Sequence, residues 1–170
     1  MSSPPILPEH RYLLALGSNR PHGRYGRPAS VIAAAMERLR ACGLTIEATS
    51  PLLASPPIGP SKRRYANAAV LIQTALEPSA LLAVLKDIER GFGRRGGQRW
   101  GARVLDLDII LWSGGLWHSP ALAIPHPQWR MRRFVTEPLI AIAPDWRDPV
   151  TGLRVRHSAA RLGKSIAKQR

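Results

Sequence analysis

Apolar residues fall along this chain in short blocks whose period switches between two and about three and a half. Tyr12 to Leu16 is a continuous apolar run stopped by Gly17-Ser18-Asn19, which predicts a buried strand ending in a turn. Val31, Ala35 and Leu39 recur at helical spacing with Glu37, Arg38 and Arg40 turned outward, predicting a helix capped by Ser30 and ended by Gly43. Leu44 to Thr49 predicts a strand, Ser55-Pro56-Pro57-Ile58-Gly59-Pro60 a stiff loop, and the alternation of Tyr65 to Thr74 a further strand. Leu81, Leu82, Leu85 and Ile88 predict a helix entered at Pro78 and closed by Gly91 and Gly93. A glycine- and arginine-rich loop follows, and then Val104 to Trp112, the strongest strand signal in the chain. Pro138 restricts any helix around Thr136 to Ala143 to starting near that proline or kinking at it.

The order β, α, β, β, α, β predicts an α/β (α+β) fold, a ferredoxin-like sandwich with helices packed on a mainly antiparallel sheet. A chain of 170 residues suits one domain, which buries roughly 70% of its unfolded surface. The expected division is a flexible tail over 1–10, a folded domain over 11–150 and a basic C-terminal extension over 151–170.

Charge adds a partner class. Lys and Arg number 25 against 11 Asp and Glu, a formal charge of +14, which implies something anionic: nucleic acid, an acidic membrane or a small phosphorylated substrate. Cys42 stands alone, so no disulfide framework or cysteine metal cage forms within one chain, and it reads as a small core residue. No apolar run approaches the roughly 20 residues of a membrane span, and the start, with Pro4, Pro5, Pro8 and Glu9, lacks the regions of a signal peptide. A cytoplasmic protein without a membrane partner is expected.

The candidate chemistry lies in Leu105-Asp106-Leu107-Asp108-Ile109. On a strand the leucines and Ile109 face one side and the two aspartates the other, about 7 Å apart. Mg²⁺ takes hard oxygen ligands at about 2.1 Å and is commonly held by one or two carboxylates together with substrate phosphates. By itself the pair is equally a polar strand face in water. Upstream, however, stand Arg94, Arg95, Arg99 and Arg103. A basic loop feeding an acidic pair welcomes a metal–polyphosphate, gripped by metal on one side and guanidinium forks on the other.

The stretch Arg99-Trp100-Gly101-Ala102-Arg103-Val104-Leu105-Asp106-Leu107-Asp108-Ile109-Ile110 resembles the signature of the 6-hydroxymethyl-7,8-dihydropterin pyrophosphokinases. Leu16-Gly17-Ser18-Asn19, Ser55 to Gly59, Tyr65 to Val70, Ile124-Pro125-His126-Pro127, and Arg132 with Phe134 follow in the family's order. The resemblance implies a folate-biosynthesis transferase that moves the β,γ-diphosphate of ATP to the pterin hydroxymethyl oxygen and releases AMP, with 11–150 as the pyrophosphokinase domain. It implies two Mg²⁺ ions on Asp106 and Asp108, with Arg94, Arg95 and Arg103 as catalytic partners. The pterin would be bound by Ser55, Pro56, Pro57, Ile58, Tyr65, Asn67 and Phe134, and ATP by Arg99, Trp100, Ile109, His126 and Arg132. Aromatic faces stack a flat heterocycle and an amide reads its donor and acceptor edge. A monomer acting on small molecules is expected.

Two rivals fail on their residues. Gly163-Lys164-Ser165 resembles the end of a phosphate-binding P-loop, but Ser158 occupies the first glycine position and five residues remain for the following helix. Arg90-Gly91-Phe92-Gly93 matches half of an RNA-recognition motif, but Arg94, Arg95, Gly96 and Gly97 follow where a strand with stacking rings is needed, which argues against nucleic acid as the main partner.

Overall fold

A computed structural model describes residues 9–55, 65–93 and 103–158, and in it the first apolar run becomes the central strand β1 (His10–Ser18). Side chains alternate across a strand, so this one segment feeds two cores. Tyr12, Leu14 and Leu16 point into one, Leu13 and Ala15 into the other.

The sheet runs β2 (Thr45–Thr49), β4 (Tyr65–Thr74), β1, β5 (Asp106–Trp112), with every pair antiparallel. A short β3 (Leu53–Ser55) also pairs with β4, beyond β2. Counted together, β2 and β3 form one interrupted edge strand. The first and third strands of a βαββαβ chain are then central, which is the ferredoxin-like arrangement.

Helices α1 (Pro28–Ala41) and α2 (Pro78–Gly91) cover one face with Val31, Ile32, Ala35, Leu39, Leu81, Leu85 and Ile88. Both have proline in the first turn, where its missing N–H costs nothing and its fixed φ suits the helix. This corrects the expected Ser30 cap: the helix starts two residues earlier, at Pro28 after Arg27, so Ser30 is already helical. Gly43 and Gly93, at φ of +82° and +85°, end the two helices in the left-handed conformation open to glycine. Cys42 also departs from expectation. It is exposed, because it lies beyond Leu39, the last buried position of α1.

On the opposite face α3 (Arg133–Ile142) packs Val135 and Leu139 against Leu13, Leu71, Leu111 and Trp129. It begins five residues before Pro138, so the bond that proline cannot make falls near the helix start. Val155, within the stretch read as a basic extension, is fully buried in this same core. Before α3, the hairpin of β6 (Trp117–Ser119) and β7 (Leu122–Ile124) leads into a cis Ile124-Pro125 bond and a 3₁₀ turn at Trp129–Met131. Among the described residues no helix is long and apolar enough to cross a membrane.

Candidate active site

Strand register assembles the site. Gly17 lies opposite Asn67 of β4 on one side and Asp106 of β5 on the other, and Ala15 lies opposite Ala69 and Asp108. Cross-strand partners share a face. Two rows, Asn67–Gly17–Asp106 and Ala69–Ala15–Asp108, therefore cross the sheet on the side that carries α3.

Farther along the same face the row Leu71–Leu13–Leu111 belongs to the core beneath α3. Where the rows turn to glycine, alanine and polar groups, the face opens into a cavity of about 610 Å³ lined by Ser55, Tyr65, Asn67, Arg103, Asp106, Asp108, Arg132 and Phe134. These eight are residues expected at the site from sequence, and Ala15, Leu16, Gly17, Gln128, Met131 and Val135, which were not, complete the lining.

The Arg103 guanidinium donates from Nη1 to Asp106 Oδ1 at 2.7 Å, placing a cation beside the carboxylate pair. Burial pushes the Asp108 carboxyl above its ordinary range and the Asp106 charge adds to the effect, while His126, Lys86 and Arg132 pull the other way. Burial also holds the His126 imidazole below its usual value, and Arg132 acts in the same direction, against Asp108 and Asp106. Two neighbouring carboxylates, one held against ionisation, form a site that a divalent cation relieves. Hard oxygen donors on one strand face fit Mg²⁺. Among the described residues no third His, Cys, Asp or Glu joins them in a metal-binding group, so the remaining ligands of such an ion would come from substrate oxygens and water.

At the other end of the row, Asn67 is 4% exposed and donates from Nδ2 to Ser55 Oγ at 2.8 Å and to the Leu53 carbonyl at 3.4 Å. With its amide nitrogen tied to β3, its carbonyl oxygen is turned toward Gly17. Phe134, at the start of α3, lies under the Arg132 guanidinium, 5.9 Å from ring centre to Cζ. Arg132 also donates to Gln128.

Some positions lie elsewhere. Ile109 is 2% exposed and packs in the core beneath α1 and α2, because alternation turns it away from the face shared by Asp106 and Asp108. His126 lies beside the cavity, its backbone N–H donating to the Ile110 carbonyl at 3.0 Å and its Nδ1 accepting from Gln128 N at 3.2 Å. Pro56, Pro57, Ile58, Arg94, Arg95, Arg99 and Trp100 lie outside the described residues.

Residues that sequence reasoning missed hold the site from behind. Glu89 is fully buried and accepts from the backbone N–H of Leu107, between the two aspartates, at 2.8 Å, while Lys86 Nζ sits 3.0 Å from its carboxylate. Its signal was a charged residue one turn after Leu85 on the buried stripe of α2. Asn19 is 1% exposed and grips Arg103 twice, accepting from Arg103 N at 2.9 Å and donating its own N–H to Arg103 O at 3.2 Å.

Comparison with known proteins shows the family and the fold. Residues 13–144 match the family model described as 7,8-dihydro-6-hydroxymethylpterin-pyrophosphokinase (HPPK). The chain is similar to the 2-amino-4-hydroxy-6-hydroxymethyldihydropteridine pyrophosphokinase of Methylorubrum extorquens, 39% identical over 157 residues, which cover 91% of this chain and 95% of that protein. The enzyme of the same name from Pseudomonas aeruginosa is 40% identical over 141 residues, 82% of this chain and 84% of the relative. A Synechocystis relative is 42% identical over 110 residues, 65% of this chain, and that match spans 56% of the relative's length. Among solved structures, wild-type Plasmodium falciparum HPPK-DHPS with pteroate superposes with a TM-score of 0.72 at 14% identity, covering 95% of this chain and 44% of that one, a likeness of fold.

Proposed function

Because the chain belongs to the 7,8-dihydro-6-hydroxymethylpterin-pyrophosphokinase family, we propose that it transfers the β,γ-diphosphate of ATP to the hydroxymethyl oxygen of 6-hydroxymethyl-7,8-dihydropterin and releases AMP. The observation that carries this reading is the single row that sets the Asn67 amide, the Gly17 backbone and the Asp106 carboxylate across three adjacent strands. A heterocycle edge is read at one end and a polyphosphate is received at the other.

In this reaction the alcohol oxygen attacks the β-phosphorus of ATP, and the bond from that phosphorus to the oxygen bridging it to the α-phosphorus breaks. The bonding pair leaves with AMP and the hydroxyl proton is released. Asp106 and Asp108 would hold Mg²⁺, two ions in our reading, which would neutralise phosphate charge and lower the pKa of the alcohol. Arg103 and Arg132 line the same cavity and supply fixed positive charge to the phosphate oxygens. His126, beside Asp108, is assigned to the triphosphate. Tyr65 and Phe134 provide the ring faces, and Ser55 fixes the Asn67 amide that reads the pterin edge.

We assign Arg94, Arg95, Arg99 and Trp100 to the nucleotide and phosphates, and Pro56, Pro57 and Ile58 to the pterin, on their places in the sequence motifs. Ile109 would contribute its backbone, since its side chain is in the core. Residues 11–150 are taken as the catalytic domain, to whose core Val155 is added, acting as a monomer.

The test is AMP formation by the purified chain. AMP should appear when ATP, Mg²⁺ and 6-hydroxymethyl-7,8-dihydropterin are all present, with diphosphorylated pterin in equal amount. Release of ADP, or AMP formation that ignores the pterin, would sink the proposal.

A further inference from the structure

Between Glu9 and Glu37 the chain holds no acidic residue, and the loop that joins β1 to α1 carries Arg20, Arg24 and Arg27. All three are exposed. Several arginines elsewhere are answered by carboxylates, Arg11 by Glu47, Arg40 by Glu37 and Arg90 by Asp87. Among the described residues none of the three loop guanidinia has such a partner, and Arg24 lies instead over the Tyr25 ring, with Cζ 5.5 Å from its centre. Like charges gathered on one short segment repel, so the fold does not ask for them, and together they raise the local concentration of an anion.

The segment that carries them is firmly built. His22 and Gly26 exchange backbone hydrogen bonds at 2.8 and 2.7 Å, and His22 Nδ1 accepts from the N–H groups of Arg24 and Tyr25 at 3.0 and 3.3 Å. Tyr25 stacks on Phe92 with ring centres 5.0 Å apart, and the His22 ring lies 4.8 Å from Tyr25. The cations are therefore presented from a fixed place.

That place is the aspartate end of β5. Asn19, just before Arg20, is bonded to the backbone of Arg103, whose guanidinium reaches Asp106. Phe92, on which the loop rests, follows Glu89 by three residues at the end of α2, and Glu89 accepts from the N–H between the two aspartates. Two separate anchors thus set three unanswered arginines beside the carboxylate pair.

We propose that Arg20, Arg24 and Arg27 form a docking rim for the metal–triphosphate, which captures the anion and passes it to Arg103 and the aspartates without gripping it in the bound complex. This rests on the ATP reading given above and adds the surface by which the nucleotide enters. Charges at the rim of a site act on the rate of association and its salt dependence, whereas charges in contact with a bound ligand act on its dissociation.

The experiment follows binding of a fluorescent ATP analogue with Mg²⁺ by stopped flow, in the absence of pterin. It compares wild type, the triple variant Arg20→Gln/Arg24→Gln/Arg27→Gln, and a control of equal charge, Arg38→Gln/Arg147→Gln/Arg156→Gln, whose arginines are exposed on other segments. Association by the loop variant should be about tenfold slower at an ionic strength of about 0.01 M, where charges act over about 30 Å. The gap should close near about 1 M, where their reach is about 3 Å. Dissociation, and association by the control, should stay within about twofold of wild type. The single variants Arg20→Gln and Arg27→Gln, which leave the Tyr25 stack untouched, should each show part of the slowing, so the outcome does not depend on the triple variant folding. Equal slowing in the control would overturn the inference by showing that net charge alone is at work. Faster dissociation with unchanged association would also overturn it, by placing these arginines on the bound nucleotide. Failure of wild type to bind the analogue would remove it as well, whereas the expected rates without pterin-dependent AMP formation would leave it standing while the proposed function fell.

Discussion

Asn19 holds the backbone of Arg103 at both its N–H and its carbonyl, 84 residues away along the chain, and Arg103 in turn reaches Asp106 Oδ1 at 2.7 Å. The end of β1 thus fixes where the loop re-enters the sheet and where its last arginine stands. Arg103→Ala should lower kcat by about 10²–10³. As an exposed-to-half-buried pair, it should move the melting temperature little. Steady-state kinetics beside a melt will separate the two, and a stability loss without a kcat loss would count against the phosphate role.

Asp108 should behave in the opposite way to most buried carboxylates under mutation. Folding raises its pKa through burial first and then through Asp106, so the native state holds the proton more tightly and ionising the group at neutral pH costs stability. That cost is complete above the raised pKa and disappears as pH falls below the ordinary carboxylate value. Asp108→Asn in the presence of a chelator should therefore melt higher than wild type near neutral pH, with the difference closing in acid. Turnover with Mg²⁺ should fall at least about 100-fold. A chelated variant that melts lower than wild type near neutral pH would contradict the cost of ionising Asp108 that burial and the Asp106 charge impose.

Ser55 is buried and its hydroxyl accepts from the Asn67 amide at 2.8 Å, which aims the amide oxygen into the cavity. Ser55→Ala should weaken pterin binding about 3- to 10-fold, the worth of one hydrogen bond, and leave ATP binding unchanged. Isothermal titration with each ligand checks this, and equal losses for both ligands would mean a general disturbance of the cleft.

Glu89 accepts from the backbone N–H of Leu107, which lies between Asp106 and Asp108. Glu89→Ala strands that buried N–H and should cost about 1–3 kcal/mol, whereas Glu89→Gln keeps an acceptor and should cost less. If the contact also positions β5, the alanine variant will need more Mg²⁺ for half-maximal activity and the glutamine variant will recover most of the difference. Matching Mg²⁺ curves for all three proteins would confine Glu89 to stability.

Asp148 is 2% exposed and is held by both arms of Arg130, at 2.5 and 2.6 Å, with Val150 N and Thr151 Oγ1 completing its partners. Burial alone would raise its pKa, but these donors outweigh it and the carboxyl ends below its ordinary value. A depressed native pKa gives stability that is present above the ordinary carboxylate value and is lost as pH falls through the native one. Asp148→Asn should thus cost about 1–3 kcal/mol at neutral pH, with the gap to wild type narrowing in acid below about pH 4. Chemical denaturation at several pH values measures it, and a gap independent of pH would show that charge is not the cause.

The pattern along the chain determined a good deal. The blocks of period two and three and a half, with Pro78 at one helix start and glycines at helix ends, specified α1, α2, β1, β4 and β5 and their order, because helix and strand each bury one face and write that face into the sequence. Asp106 and Asp108 were visible as a pair for the same reason: two residues on, a strand returns to the same side. The Ser30 cap failed because a proline two residues upstream is a stronger start signal, and Cys42 was misplaced because one small residue near a helix end carries no period.

Only the tertiary structure decided what stands beside what. Gly17, Asn67 and Asp106 are 50 and 39 residues apart in the chain and form a row because β4 and β5 flank β1 in that register. Asn19 meets Arg103, and Glu89 meets the peptide between the aspartates, by the same docking of distant segments. Those contacts depend on strand pairing and helix packing, which are properties of the assembled sheet, and no local run of residues spells them out.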